Sequence, residues 1–294
     1  MTLAFKRIGL IGKYGDPSVQ GVLKTLSQHL KQLHVQVILD EATAELWPGH
    51  SLDVLPRADL AMQCDLAIVT GGDGTLLNAA RSLAQYDVPL LGINQGRLGF
   101  LADISPDHML EKLDDILQGN YQEEERILLH AAIERDGIIV NQSNALNDVV
   151  VHKWGVMRMI EFETCINDVF VHTHRSDGII IATPTGSTAY ALSSGGPILH
   201  PALDAMVLVP VSPHTLSNRP IVIDGDSHVT IIVENSNQPK VQVTCDGQIS
   251  LDWNAGDLIK IRKDKKIRLI HPAQHDPYTI LRAKLQWGGK LDAP

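Results

Sequence analysis

Short apolar runs alternate with stretches of helical period over roughly the first 120 residues of the chain. This is the pattern of a parallel α/β layer. The segment 7–12 (RIGLIG) reads as a strand. It is followed by a helix that sets Val19, Val22, Leu23, Leu26 and Leu30 on one side, and then by a second strand over 35–39 (VQVIL). A third strand, 65–70 (DLAIVT), precedes a helix over 75–85. A buried strand over 89–93 (PLLGI) and a helix over 107–117 complete the series.

From about residue 127 the texture changes to repeated strand-like runs separated by Asp-Gly, Asn-Asp and Asn-Gln-Pro turn chemistry. Apolar and polar residues alternate over 159–166 and 169–174, with Asn167-Asp168 between them as a hairpin turn. Further strands are expected at 179–182, 206–211, 228–233, 240–244, 257–261 and 266–270. The fold class is therefore an α/β N-terminal domain with a parallel sheet plus a β-rich, sandwich-like C-terminal domain. We expect residues 1–125 to form the first and 126–274 the second. A tail over 275–294, with Tyr278, Leu281 and Leu285 at helical spacing, is expected to pack back on the first domain.

The chain has 294 residues, 34 acidic against 25 basic, and near-zero mean hydropathy, which excludes a disordered chain. The longest uninterrupted apolar run is about seven residues, too short for a spanning helix of roughly 20. No membrane association is expected. Lys6 and Arg7 interrupt the apolar N-terminus and no small-residue cleavage site follows, so an export signal is not expected either. Cys64, Cys165 and Cys245 lie far apart and outside any CxxC spacing, which suits a reducing cytoplasm. The formal charge of -9 disfavours nucleic acid as a partner but leaves small anionic ligands open, because local N–H clusters or a metal can hold a phosphate.

Three segments carry candidate chemistry. In DLAIVTGGDGTLLNAA (65–80) a strand ends in a turn with Gly71, Gly72 and Gly74, and a helix follows. That turn falls at a strand's carboxyl end, where parallel sheets bind ligands and a helix presents its positive end. Glycines let a phosphate chain approach the backbone. Asp73 is the odd residue there: it either binds metal, accepts a hydroxyl proton, or caps the helix. A second segment, RSDGIIIATPTGSTAYALSSGGP (175–197), is crowded with small hydroxyls suited to ribose, phosphate and base edges, and Tyr190 can stack at its rim. The third, NQGRLGFLAD (94–103), sets Gly96 and Gly99 around Arg97 at another strand's end.

Taken together, GGDGT at 71–75, the NxGxLGFL block at 94–101, Asn147-Asp148 and SDGIIIATPTGSTAY at 176–190 resemble the NAD kinase family, bacterial type, over nearly the whole chain. GGDGT alone is shared with lipid-kinase-like and phosphofructokinase-like proteins, whereas the Ser/Thr-rich block about a hundred residues later is specific. The resemblance implies transfer of a nucleoside triphosphate's γ-phosphoryl group to the 2′-hydroxyl of the adenosine ribose of NAD. ATP is then the co-substrate, and a divalent ion such as Mg2+ accompanies it without protein ligands of its own. Asp73 would orient the hydroxyl and take its proton, and Gly71, Gly72, Gly74 and Thr75 would form the phosphate-binding loop.

The same resemblance assigns Asn147, Asp148 and Asp177 to the NAD pocket, and Thr188, Ala189, Tyr190 and Ser193 to its adenosine half. Phe100 joins Tyr190 as an apolar wall, and Arg158, Arg175 and Gln248 are further contacts. It also implies homodimers or homotetramers in which neighbouring β-rich domains complete the site. Gln95 and Trp154 depart from the family pattern.

Other readings stay open on residues alone. Gly9, Gly12 and Gly15 stand in a strand-to-helix turn, but their spacing is not the GxGxxG of a dehydrogenase dinucleotide site. A lipid kinase shares GGDGT, and a dinucleotide sensor would bind without turnover. His172 and His174 fall on one face of a strand, yet no carboxylate or third histidine stands near them at ligand spacing, so no structural metal is expected there.

Overall fold

Apolar residues crowd Arg7–Gly12, which forms strand β1, with Ile8 and Leu10 fully buried. The computed structural model describes residues 3–96, 99–155, 159–214, 218–234 and 241–287. The described residues form two units, 1–125 with 267–294, and 126–266.

In the first unit β1 is followed by α1 (Val19–Gln32), β2 (Gln36–Asp40), α2 (Glu41–Ala44), β3 (Asp53–Leu55), α3 (Arg57–Gln63), β4 (Leu66–Gly71), α4 (Asp73–Leu83), β5 (Leu90–Asn94) and, after a 3-10 turn, α5 (Met109–Leu117). The strands lie in the order β5-β4-β1-β2-β3, all parallel. Helices α1 and α5 bury Leu23, Leu26, Leu30, Leu113 and Ile116 against one face of that sheet. Helices α3 and α4 cover the other face so closely that a Cβ at Gly9 or Gly92 would collide with Leu60 or Leu76. The glycines considered for a dinucleotide turn therefore serve packing: Gly9 admits α3, and Gly12 approaches Thr43 of α2. From β1 the chain moves one way to β2 and β3, and from β4 the other way to β5. The switch point between β1 and β4 is where an open parallel sheet leaves a crevice at its carboxyl edge.

The second unit contains β6 (Tyr121–Arg135, from residue 126), β7 (Ile138–Ala145), β8 (Asp148–Lys153), β9 (Ile160–Ile166), β10 (Val169–Ser176), β11 (Gly178–Ala182), α6 (Tyr190–Ser193), β12 (Ala205–Val211), β13 (Ile221–Asp224), β14 (His228–Val233), β15 (Val241–Cys245), β16 (Ile249–Leu251) and the first part of β17 (Leu258–Pro272). One antiparallel sheet runs β13-β12-β11-β8-β15-β16; the other contains β10-β9-β14-β17 with β6 and β7. Phe162, Ile231 and Ile259 of one sheet pack with Val149, Ile181 and Leu208 of the other in a shared core. Asn167 and Asp168 both have positive φ, 50° and 62°, as a tight two-residue hairpin turn requires.

Two expectations are corrected here. The segments 257–261 and 266–270 belong to one fifteen-residue strand, β17, because backbone pairing continues through the charged KDKK stretch between them. Strand β6 likewise begins at Tyr121, six residues before the β texture was expected, since its first residues are charged. Past residue 266, β17 lies in the first unit, pairs in parallel with β5 through Leu269 and Ile270, and leads to α7 (Pro277–Leu285).

Candidate active site

The carboxyl ends of β1, β4 and β5 are in register, Gly12 beside Thr70 and Gly71 beside Asn94. The loops that leave them are therefore neighbours. Helix α4 starts at Asp73 with Gly72 as its N-cap, so Asp73 stands inside the first turn and does not hold the capping position. The helix-capping role is thus overturned. The carboxylate reaches across to the 94–103 block instead. Oδ1 accepts N–H bonds from Leu101 (3.0 Å) and Ala102 (3.1 Å), and Oδ2 accepts one from Phe100 (2.8 Å). Gly99 makes this approach possible, because a Cβ there would overlap Asp73 Oδ1. Each carboxylate oxygen offers two lone-pair positions. Oδ1 is filled, and Oδ2 keeps one position for another donor.

The turn itself suits phosphate. Gly72 faces open space, with nothing within 4 Å of where its Cβ would stand, and the positive end of the α4 dipole lies beside it. Gly71 packs against Thr75, and Gly74 is exposed. Phe100 is half-buried with the Lys284 ammonium 5.6 Å from its ring centroid.

In the second unit a cavity of about 530 Å³ is lined by Asn147, Asp148, Ala189, Tyr190, Gln242, Thr244 and Asp246, among others. The hairpin turn Asp246-Gly247 does two jobs. Its backbone turns β15 into β16 with φ of 52° and 61°, and its Asp246 carboxylate accepts N–H bonds from Leu146, Asn147 and Asp148 at 3.1, 2.7 and 3.2 Å. Gly186 passes so close to the Asn147 carbonyl that a Cβ would overlap it. Thr183 Oγ1 donates to the Leu146 carbonyl at 2.6 Å, so the Ser/Thr-rich segment is bonded to the Asn147-Asp148 corner. Burial, with the Asp246 charge adding to it, pushes the Asp148 carboxyl up to about 7.

Of the residues assigned by resemblance, Asn147, Asp148, Ala189 and Tyr190 therefore share one cavity. Thr188 adjoins it, bonded to the Thr185 carbonyl at 3.2 Å, and Ser193 ends α6. Asp177 is ion-paired to Lys153 at 2.6 Å, while Arg175 and Gln248 are exposed. Arg158 and Arg97 lie outside the described residues. Sequence reasoning missed Gln242, Thr244 and Asp246. Asp246-Gly247 carried an Asp-Gly turn signal, but nothing local told that its carboxylate would face inward.

A parallel sheet with a glycine turn at its switch point, joined to a β-rich unit with a polar cavity, defines a nucleotide-handling protein of two units. The model described as the ATP-NAD kinase N-terminal domain matches residues 8–121, and that described as the ATP-NAD kinase C-terminal domain matches 146–271. NAD kinases of Pseudomonas entomophila and Nitrosococcus oceani are 50% and 51% identical to this chain, covering 98% and 99% of it and 97% and 100% of those relatives. Among solved structures, an NAD kinase from Archaeoglobus fulgidus in complex with ATP is 27% identical with a TM-score of 0.75, covering 95% of this chain and 98% of that one. Yeast NADH kinase complexed with NADH shares the fold, with a TM-score of 0.88 at 23% identity over 98% of this chain and 89% of that one. The chain belongs to the ATP-NAD kinase family. Among the described residues no helix is long and apolar enough to cross a membrane.

Proposed function

We propose that this protein phosphorylates the 2′-hydroxyl of the adenosine ribose of NAD with ATP, giving NADP and ADP. The observation that carries the mechanism is the held carboxylate of Asp73. Three backbone N–H groups fix its position, and one lone pair on Oδ2 remains to orient a hydroxyl. As the bond from O2′ to the γ-phosphorus forms, the bond from that phosphorus to the β,γ-bridging oxygen breaks. The hydroxyl proton passes late to Asp73 and on to solvent, because a loose transition state does not require early deprotonation. Asp73 therefore acts chiefly by positioning the hydroxyl.

Gly71, Gly72, Gly74 and Thr75 would receive the phosphates. Asn147, Asp148, Ala189 and Tyr190 would hold NAD, with Thr188, Ser193, Asp177, Arg175, Arg158 and Gln248 as further contacts, and Phe100 as an apolar wall. The glycine turn offers N–H donors rather than a cage of oxygens, which fits a Mg2+ ion that arrives on the triphosphate and neutralises its charge. Two exposed apolar strand segments of the second unit, Ile138 to Val140 and Val169 to Val171, support a homo-oligomer. Three widely spaced thiols suit a cytoplasmic setting.

The test is NADP formation from NAD, ATP and Mg2+, followed with an NADP-specific dehydrogenase. Asp73→Asn is expected to lower the rate at least about 100-fold while NAD still binds. Its amide nitrogen would also face a backbone N–H, so a small loss of thermal stability accompanies it. Turnover retained in the variant would remove Asp73 from the mechanism. Phosphorylated lipid in place of NADP would replace the substrate.

A further inference from the structure

The cavity of the second unit is walled by two neighbouring strands whose side chains alternate between it and the core. Val151 of β8 and its partner Val243 of β15 are buried between the sheets. Asp148, Val150 and His152 therefore share the opposite face, and they stand beside Asp246, Thr244 and Gln242 of the antiparallel neighbour. His152 and Gln242 are direct cross-strand partners, which sets their Cβ atoms about 5 Å apart. Both are half-buried.

The chemistry of that face selects its guest. Among the described residues lining the cavity there is no lysine or arginine, and two of them are the acidic Asp148 and Asp246. A pyrophosphate would be repelled there, so a heterocycle is the part of a dinucleotide that fits, with the Tyr190 ring available to stack on it. His152 Nδ1 is bonded to the Lys153 carbonyl at 3.0 Å. A carbonyl only accepts, so Nδ1 carries the proton, and Nε2 of the neutral ring is an acceptor. Gln242 Nε2 donates to Ser250 Oγ at 2.9 Å, which leaves its Oε1 and second amide proton. A glutamine amide alone can turn over to suit either an amine or a carbonyl. The imidazole cannot, because the Lys153 carbonyl holds its tautomer. The pair as a whole therefore offers two acceptors to one amino group.

We propose that His152 and Gln242 form a specificity-determining pair that accepts the two protons of a primary amino group on the dinucleotide. The inference rests on NAD being the acceptor substrate held in this cavity. NAD carries two such groups, the 6-amino group of adenine and the carboxamide of nicotinamide, and each adjoins an acceptor that the remaining Gln242 proton can meet. An analogue with a carbonyl or a methyl group in place of the amine leaves the pair facing another acceptor or an apolar group. Such a mismatch discriminates far more than a difference in size does. Neither residue takes part in phosphoryl transfer; they decide which dinucleotide is held.

The test compares NAD, nicotinamide hypoxanthine dinucleotide and 3-acetylpyridine adenine dinucleotide as acceptors with ATP and Mg2+, with ADP quantified by chromatography so that every acceptor is read alike. The first analogue replaces the adenine amine by a carbonyl, and the second replaces the carboxamide amine by a methyl group. The wild type is expected to favour NAD over at least one of them by about 10-fold or more in kcat/KM. In His152→Phe and in Gln242→Met that preference should fall to within about threefold, and the ratio that collapses identifies the amino group read. Each ratio compares two acceptors on the same protein, so a loss of folded fraction cancels from it. Calorimetric titration with the same dinucleotides reads the pair without turnover, and NAD bound but not phosphorylated would overturn the kinase reading alone. No preference in the wild type, or a preference kept in either variant, would overturn the pair.

Discussion

Asp148 shows how one side chain couples the proposed ligand pocket to pH. Its side chain is buried, and Asp246 stands beside it, so its carboxyl titrates near 7 in the folded protein against about 3.8 in the unfolded chain. A raised carboxyl stabilises the fold fully below the unfolded value, and that contribution is lost as pH rises toward 7. Asp148→Asn carries no such penalty. Its stability relative to wild type should therefore grow by about 2 kcal/mol between about pH 5.5 and 8.5, measured by urea unfolding in the absence of NAD. A gap that does not change with pH would show that the carboxyl is not shifted. At this scale the sequence supplied Asp73 and the Asn147-Asp148 pair as candidates. It could not supply the partners of Asp73, since Phe100, Leu101 and Ala102 bond it through backbone N–H groups that any residue carries.

At the scale of elements, a buried ion pair joins α3 to the end of β2. Arg57 grips Asp40 through Nε at 2.6 Å and a terminal nitrogen at 3.0 Å, and Thr43 of α2 donates to the same carboxylate at 3.1 Å. Asp40 is 2% exposed, so Arg57→Ala would strand a charge in the interior. The expected loss is about 3 kcal/mol in chemical unfolding, with most of it returned when Asp40→Leu is added. An additive double variant would show that the pair is not coupled. Strongly periodic elements such as α1, β1, β9, β10 and β14 were legible in the sequence, because an apolar face announces itself by its period. The charged halves of β6 and β17 were not. Lys263 in β17 is instead paired with Asp204 and Asp226 at 2.7 and 2.6 Å, an arrangement with no sequence periodicity.

For the whole molecule, the open question of assembly has a surface attached to it. Among the described residues, strands β7 and β10 each pair with a single neighbour, and they expose Ile138 at 67%, Val169 at 66% and Phe170 at 57%. Solvated apolar strands of this kind are covered by another chain or invite aggregation. Phe170→Lys is expected to shift the protein toward monomers in light scattering, with unfolding midpoints at low concentration unchanged. A wild type that is already monomeric at micromolar concentration would remove the oligomer from the account. By itself the sequence determined the order of strands and helices, the change from parallel to antiparallel texture, and the family, because hydrophobic period and glycine-rich turns are local properties. Tertiary structure alone decided what those turns hold. The three N–H groups on Asp73, the second task of Asp246 and the pairing of His152 with Gln242 all join residues distant in sequence. Such contacts depend on sheet register and loop geometry, which leave no periodic trace in the chain.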